Sequence, residues 1–233
     1  MHRICSYALA AAAVTLAPLV SVASAQEASR SVAGGGISVP GWAGKIDASS
    51  AKHGSTLNQS RLSKEGDALH VVTGPAVAYW TPSDRASGDY TVSATFREPK
   101  YMSLNDHPHP YGVFIGGNEM GTDQQTYLYC AAYGDGNFIV RGFGPAPFQM
   151  NGQEGVANPA VHRAAGKDQP VTQEIALSVK ADRVSCSING AEVASYTKSG
   201  LVSAGKLKST DGMYGIRFAH NTEGFVTGLK VTK

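Results

Sequence analysis

The sequence predicts an all-β protein, a two-sheet antiparallel jelly-roll sandwich, and three observations carry that expectation. Short apolar/polar alternations recur from about Gly41 onward, no segment keeps a helical period for long, and glycine, 27 residues in all, falls repeatedly at the turns between runs. In Asp89 to Phe96 the even positions Tyr90, Val92, Ala94 and Phe96 are apolar and the odd ones polar, which is a strand with one dry and one wet face.

The run from Gln173 to Val179 has the same character and turns at Ala181-Asp182 into Val184 to Ile188. Asn189-Gly190, two residues that tolerate positive φ, then turns the chain into Glu192 to Tyr196, so three successive strands form a meander. The hairpin from Thr126 to Phe143 can be registered by counting outward from Gly134-Asp135-Gly136. Pairing Tyr133 with Asn137 puts Tyr129 opposite Arg141 and Tyr127 opposite Phe143. Tyr127, Tyr129, Ile139, Arg141 and Phe143 share one face, expected to turn outward across the inner curve; Leu128, Cys130, Ala132, Phe138 and Val140 share the other and are expected in the core. The last strands are Met213 to His220 and Phe225 to Val231, with Arg217 on the face opposite Ile216 and Phe218. The polar stretch from Val156 to Pro170 reads as a long loop over one sheet, with disorder an equal alternative.

Before the first alternation, His2 and Arg3, an apolar stretch from Ala8 to Val20 and Ala23-Ser24-Ala25 follow in the order of a cleavable export signal. The expected organisation is a signal over residues 1–25, a flexible leader over 26–40 and one jelly-roll domain over 41–233. No later run approaches the roughly 20 apolar residues that a spanning helix needs. The expected location is periplasmic or secreted. Removal of the signal takes Cys5 with it and leaves Cys130 and Cys186, both pointing inward by alternation; a disulfide and a pair of buried thiols satisfy that pattern equally. Lysine plus arginine, 20 residues, nearly cancel aspartate plus glutamate, 18, so nucleic acid is not an expected partner.

An ordered set of marks resembles the concanavalin A-like lectin/glucanase superfamily and, within it, the bacterial 3-keto-disaccharide hydrolase-like domain. The marks are Gly41-Trp42, Glu65-Gly66-Asp67-Ala68-Leu69-His70-Val71, Tyr111-Gly112-Val113-Phe114-Ile115, Ser187-Ile188-Asn189-Gly190 and Tyr214-Gly215-Ile216-Arg217-Phe218-Ala219-His220. The resemblance covers about residues 40–232 and implies a carbohydrate ligand or substrate, an oxidised glycoside in particular. Tyr111 and Arg217 depart from the family pattern, and the strand from Tyr127 to Ala132 lacks its acidic residues. Those departures leave the fold expectation standing and leave catalysis or binding alone as open alternatives.

Asn105-Asp106-His107-Pro108-His109-Pro110 is the densest polar cluster. Its prolines extend the backbone so that His107 and His109 project to one side, and with Asp106 they suit acid–base chemistry or a divalent metal. A stiff, solvated surface loop is the competing reading. Calcium is a further alternative, with Asn105, Asp106, Asn118, Glu119 and Asp123 as oxygen donors outside any EF-hand spacing. Tyr127, Tyr129 and Arg141 form the second candidate, a sugar platform flanked by Gln124, Gln125 and Arg217, set against an aromatic ladder that only stiffens the sheet. His220, Trp42 and Trp80 read as core residues first. Two acidic residues on a groove-facing strand, as a paired-carboxylate glycosidase requires, are not found; a 3-keto sugar, acidified beside its ketone, opens by elimination with a histidine or tyrosine base instead.

Overall fold

Sixteen strands, numbered in chain order, and two short helices account for nearly all regular structure in a computed structural model that describes residues 28–233. The expected export signal lies outside the described residues. One sheet has the spatial order β1 (Gly36–Ile37), β3 (Arg61–Glu65), β4 (Ala68–Val72), β16 (Glu223–Thr232), β6 (Tyr90–Glu98), β12 (Val171–Lys180), β13 (Arg183–Ile188) and β14 (Ala191–Thr197). The other has the order β10 (Pro147–Gln149), β9 (Asn137–Phe143), β8 (Thr126–Ala132), β7 (Tyr111–Asn118), β15 (Gly212–Phe218), β5 (Val77–Ala86) and β2 (Ala43–Ile46), with β11 (Val156–Ala157) also paired to β9. Of these strand pairs, β1 with β3 is parallel and the rest are antiparallel. The helices are α1 (Ala48–Lys52) and α2 (Lys198–Leu201). The fold is an all-β jelly-roll sandwich, as the alternation predicts. No helix among the described residues is long and apolar enough to cross a membrane.

Alternation decides what each layer buries. Val92, Ala94 and Phe96 of β6, Ile175 and Leu177 of β12, and Val184, Cys186 and Ile188 of β13 meet Val113 and Ile115 of β7, Leu128 and Cys130 of β8, Val140 of β9 and Ile216 and Phe218 of β15 in the intersheet core. The β8–β9 register is the one obtained by counting from the turn: Tyr129 lies opposite Arg141 and Tyr127 opposite Phe143. The β12–β13–β14 meander also forms, with Asn189 and Gly190 both at positive φ. Gly36 and Ile37, inside the expected leader, pair with Arg61 and Leu62. Within the polar stretch after residue 155, Val156 and Ala157 pair with Phe138 and Asn137, and Asp135 bridges to Arg163.

Cys130 and Cys186 are bonded, with Cα atoms 6.1 Å apart, and tie β8 of one sheet to β13 of the other. His70, one of the family marks, is used structurally. Its Nδ1 lies 2.6 Å from Oε1 of Glu65 and its Nε2 2.9 Å from Oε1 of Glu223, while its ring stacks on Phe225.

Two predictions follow from this packing. The disulfide closes a loop of sequence separation 56, so a Cys130→Ala/Cys186→Ala variant is expected to lose about 4 kcal/mol of stability in urea unfolding by the chain-entropy relation. Glu98 is buried at the end of β6, where desolvation pushes its carboxyl up to about 7 against an ordinary 4.5; the Met102 N–H and the Tyr111 side chain only partly oppose this. The folded state therefore holds that proton more tightly than the unfolded chain. This contribution to stability is present below pH 4.5 and is lost as pH rises through 7. Unfolding free energies measured across that window should fall with pH, and Glu98→Gln should flatten the fall.

Candidate functional site

The face of β8, β9 and β15 that points away from the intersheet core is covered as well. Trp80, Phe114, Tyr127, Tyr129, Ala131 and Ile139 form a second buried cluster, with Met120, Tyr133, Phe143 and Met213 packed against it. Gly215 permits this layer, because a Cβ there would stand 2.7 Å from the Phe114 ring and 2.2 Å from the Tyr79 carbonyl oxygen. The expected open tyrosine platform is therefore corrected in part. Tyr127 is 0% exposed, between Phe114 and Phe143 at ring-centroid distances of 5.0 Å each, and offers no surface to a ligand. Tyr129 is 8% exposed and keeps only an edge at the surface.

Arg217 sits in this layer at 5% exposure. Its guanidinium carbon lies 5.7 Å from the Tyr129 centroid and 5.6 Å from that of Phe143, and its Nη2 donates to Oδ2 of Asp47 at 2.5 Å. Burial works against the charge, but the Asp47 carboxylate and the tyrosines outweigh it and hold the guanidinium more firmly protonated than usual. Asp47 stands at the N-cap of α1, yet makes no side-chain cap bond there; its carboxylate is spent on Arg217 instead.

At the rim of this layer lies a cleft of about 330 Å³. It is lined by His107, His109 and His220, by Tyr129, Tyr133, Ile139, Arg141 and Arg217, and by Asp47, Ser49 and Ser50. Two loops meet there. Ala219 donates its N–H to the Pro110 carbonyl at 3.0 Å, and Nδ2 of Asn105 donates to the Asn221 carbonyl at 2.8 Å. His109 is buried between them with Nδ1 2.6 Å from the His220 carbonyl oxygen. Asn105 Nδ2 also lies 3.0 Å from this Nδ1, but the shorter contact is to a carbonyl, which can only accept, and it favours the tautomer with the proton on Nδ1 and the lone pair on Nε2. That Nε2 lies 2.8 Å from Nε2 of His107, whose Nδ1 lies 2.8 Å from Oδ1 of Asp106. Desolvation, then the neighbouring His220 and His107, push His109 down to about 3, so it is neutral at physiological pH. The bond to His107 holds the exposed Asp106 carboxyl below its ordinary range.

Arg141, also in the lining, donates from Nη2 to the Gln153 carbonyl, and its Nε is buried without a hydrogen-bond partner among the described residues. His107, His109, Tyr129, Arg141 and Arg217 are thus brought to one place. Gln124 and Gln125 are not: Gln124 lines a separate depression with Val202 to Lys208, and Oε1 of Gln125 accepts from the Gly121 N–H at 3.2 Å. The alternative calcium donors do not converge, since Glu119 pairs with Lys208 and Asp123 with Lys45. A metal is compatible with His107, His109 and His220, whose donor atoms all lie within 4.8 Å of one another.

His220 and Asp47 escaped the sequence reading as site residues. β15 ends at Phe218, so the alternation that assigns Ile216 and Phe218 to the core no longer governs His220, which lies on the turn before Asn221 at positive φ. Asp47 carries no local signal, because its partner is 170 positions away.

No protein-family model matches the chain, and no curated protein matches it in sequence. Solved structures match its fold. The carbohydrate-binding module CBM66 from Bacillus subtilis aligns with a TM-score of 0.54 at 7% identity, covering 84% of this chain and 98% of that one. The endo-β-1,3-glucanase from Pyrococcus furiosus aligns with a TM-score of 0.51 at 14% identity, covering 82% and 87%. The exoplasmic/lumenal domain of VIP36, in its Ca²⁺/Man2-bound form, aligns with a TM-score of 0.52 at 8% identity, covering 83% and 81%. The chain shares its fold with these three structures.

The buried ion pair yields a prediction. Asp47→Asn leaves the Arg217 charge uncompensated in an apolar layer and is expected to cost about 3 kcal/mol in denaturant unfolding. Asp47→Asn combined with Arg217→Met removes that charge and should cost less than the single change.

Proposed function

We propose that this chain is an exported carbohydrate-active domain that binds a sugar in the cleft between His109 and Arg141 and acts on an oxidised glycoside. The observation that carries the reading is the meeting, in one cleft, of an imidazole pair backed by a carboxylate and the Arg141 guanidinium. The signal-like residues 1–25, followed by the leader and one jelly-roll domain, and the Cys130–Cys186 bond are what support export.

Among the described residues, Asp47 is the one carboxylate lining the cleft, and Arg217 occupies it. That arrangement disfavours the paired-carboxylate route and favours an imidazole base. Burial and its imidazole neighbours disfavour His109 as that base, which leaves the half-exposed His107, whose Nδ1 is held by Asp106. In a 3-keto glycoside the C2–H bond is acidified by the ketone. Nε2 of His107, once turned from His109 toward the sugar, removes that proton, the C–H electrons form the C1–C2 double bond, and the C1–O electrons leave with the glycosidic oxygen. The imidazolium then returns the proton to the departing alkoxide, so the products are an enone and a free alcohol, with no oxidant or reductant consumed. The Arg141 guanidinium is the donor for the developing enolate oxygen.

A second reading, glycan binding without turnover, is favoured by the openness of the wall: the His107 side chain is 55% exposed, and water-excluded chemistry is harder there. Incubating the protein, as purified and after loading with Zn²⁺, with 3-keto-disaccharides separates the two. The leading reading expects enone formation that falls at least 100-fold in a His107→Ala/His109→Ala variant. Saturable glycan binding lost in Arg141→Ala, with the sugar recovered unchanged, supports the second. Turnover in neither condition, or turnover unchanged in the double variant, overturns the first.

A further inference from the structure

We infer that His107, His109 and His220 form a three-imidazole site for one borderline divalent transition-metal ion, with Zn²⁺ as its reference occupant. The chain builds this site from two segments. His107 and His109 are two residues apart in an extended, proline-flanked stretch, which directs both rings to one side. His220 arrives on the turn after β15, and the Ala219–Pro110, Asn105–Asn221 and His109–His220 hydrogen bonds lock the two segments together. The rings crowd accordingly, with centroids 4.3 Å apart for His107 and His109 and 4.1 Å apart for His109 and His220.

The hydrogen bonds also settle which atoms face inward. Nδ1 of His109 donates to a backbone carbonyl, and Nδ1 of His107 faces a carboxylate that can only accept, so each ring presents Nε2 to the other at 2.8 Å. Two lone pairs at that separation repel unless a proton or a cation lies between them. Imidazoles oriented through the far nitrogen by a carbonyl or a carboxylate are the usual metal-ligand arrangement. Tetrahedral coordination at zinc–nitrogen distances near 2.0 to 2.1 Å places donor atoms about 3.3 Å apart. The observed donors, all within 4.8 Å of one another, reach that spacing by small ring adjustments, and the half-exposed His107 has room to make them. Three neutral nitrogen donors and no oxygen in the trio suit Zn²⁺, Cu²⁺ or Ni²⁺ and do not suit Ca²⁺ or Mg²⁺. The trio also leaves a coordination position toward the cleft, the arrangement that separates a reactive zinc site from a closed structural one.

This site shares its residues with the proposed function but does not rest on the glycan reading. An ion on Nε2 of His107 withdraws the lone pair that serves as base in the metal-free protein, so metal affinity and turnover in chelator are separate readouts. The test uses tag-free protein stripped with a chelator and titrated with Zn²⁺ by calorimetry, then with Co²⁺ followed by visible absorption. The expected result is one equivalent of Zn²⁺ per chain and the intense visible bands of tetrahedral Co²⁺. Affinity should fall at least 100-fold in His220→Ala and about 10-fold in Asp106→Asn, both checked for native circular dichroism. Binding undiminished in His220→Ala, preference for Ca²⁺, or no binding beyond that of His107→Ala/His109→Ala overturns the site and shows the 2.8 Å contact to be a shared proton. Glycan binding that persists in chelator while Zn²⁺ binding fails removes this inference alone.

Discussion

Everything about this molecule's chemistry is constrained by the fact that the sheet containing β8, β9 and β15 is buried on both faces. One face closes the intersheet core, and the other is roofed by an aromatic layer around Trp80, Phe114 and Tyr127. Arg217 is the polar group that this arrangement must accommodate. An arginine on the apolar outer face of a central strand needs a counter-charge, and Asp47 supplies it from the start of α1. That pair brings α1 over the sheet and places Ser49 and Ser50 at the side of the cleft. The part of that face around Trp80, Phe114 and Tyr127 is thereby unavailable, and polar groups able to meet a ligand are confined to its rim, where Tyr129 and Arg141 adjoin the loops carrying His109 and His220, which are pinned to each other.

The rim concentrates three kinds of group that seldom lie together without a function. His109 is held neutral by burial and by its imidazole neighbours, Asp106 orients His107 from the solvent side, and the Arg141 guanidinium lines the same cleft. Perturbed titratable groups in a cleft are a physical reason to look there first. The fold itself, common to lectins, binding modules and glucanases, is silent on which chemistry is performed.

The sequence made the strand pairing legible because period-two alternation and turn chemistry are local. Gly134-Asp135-Gly136 registers Tyr129 against Arg141, and Asn189-Gly190 closes the β13–β14 hairpin, without reference to the rest of the chain. Alternation also pointed both cysteines inward, although only the three-dimensional packing brings them into a bond. It was silent on what covers the second face. Tyr127 and Tyr129 look alike in the pattern, yet one is enclosed by Phe114 and Phe143 while the other reaches the cleft. Asp47 and His220 were illegible for the related reason that their partners are far along the chain or lie beyond the end of a strand. Gln124 and Gln125 adjoin β8 in sequence, but the turn before that strand carries them away from the cleft.

The claim that matters most is that ligand contact occurs at the rim and not on the sheet face. Backbone-amide chemical-shift mapping during titration with a 3-keto-disaccharide tests it directly. The largest shifts should cluster at His107, His109, Arg141 and His220; shifts concentrated instead at Gln124 to Thr126 and Val202 to Lys208 would contradict the account.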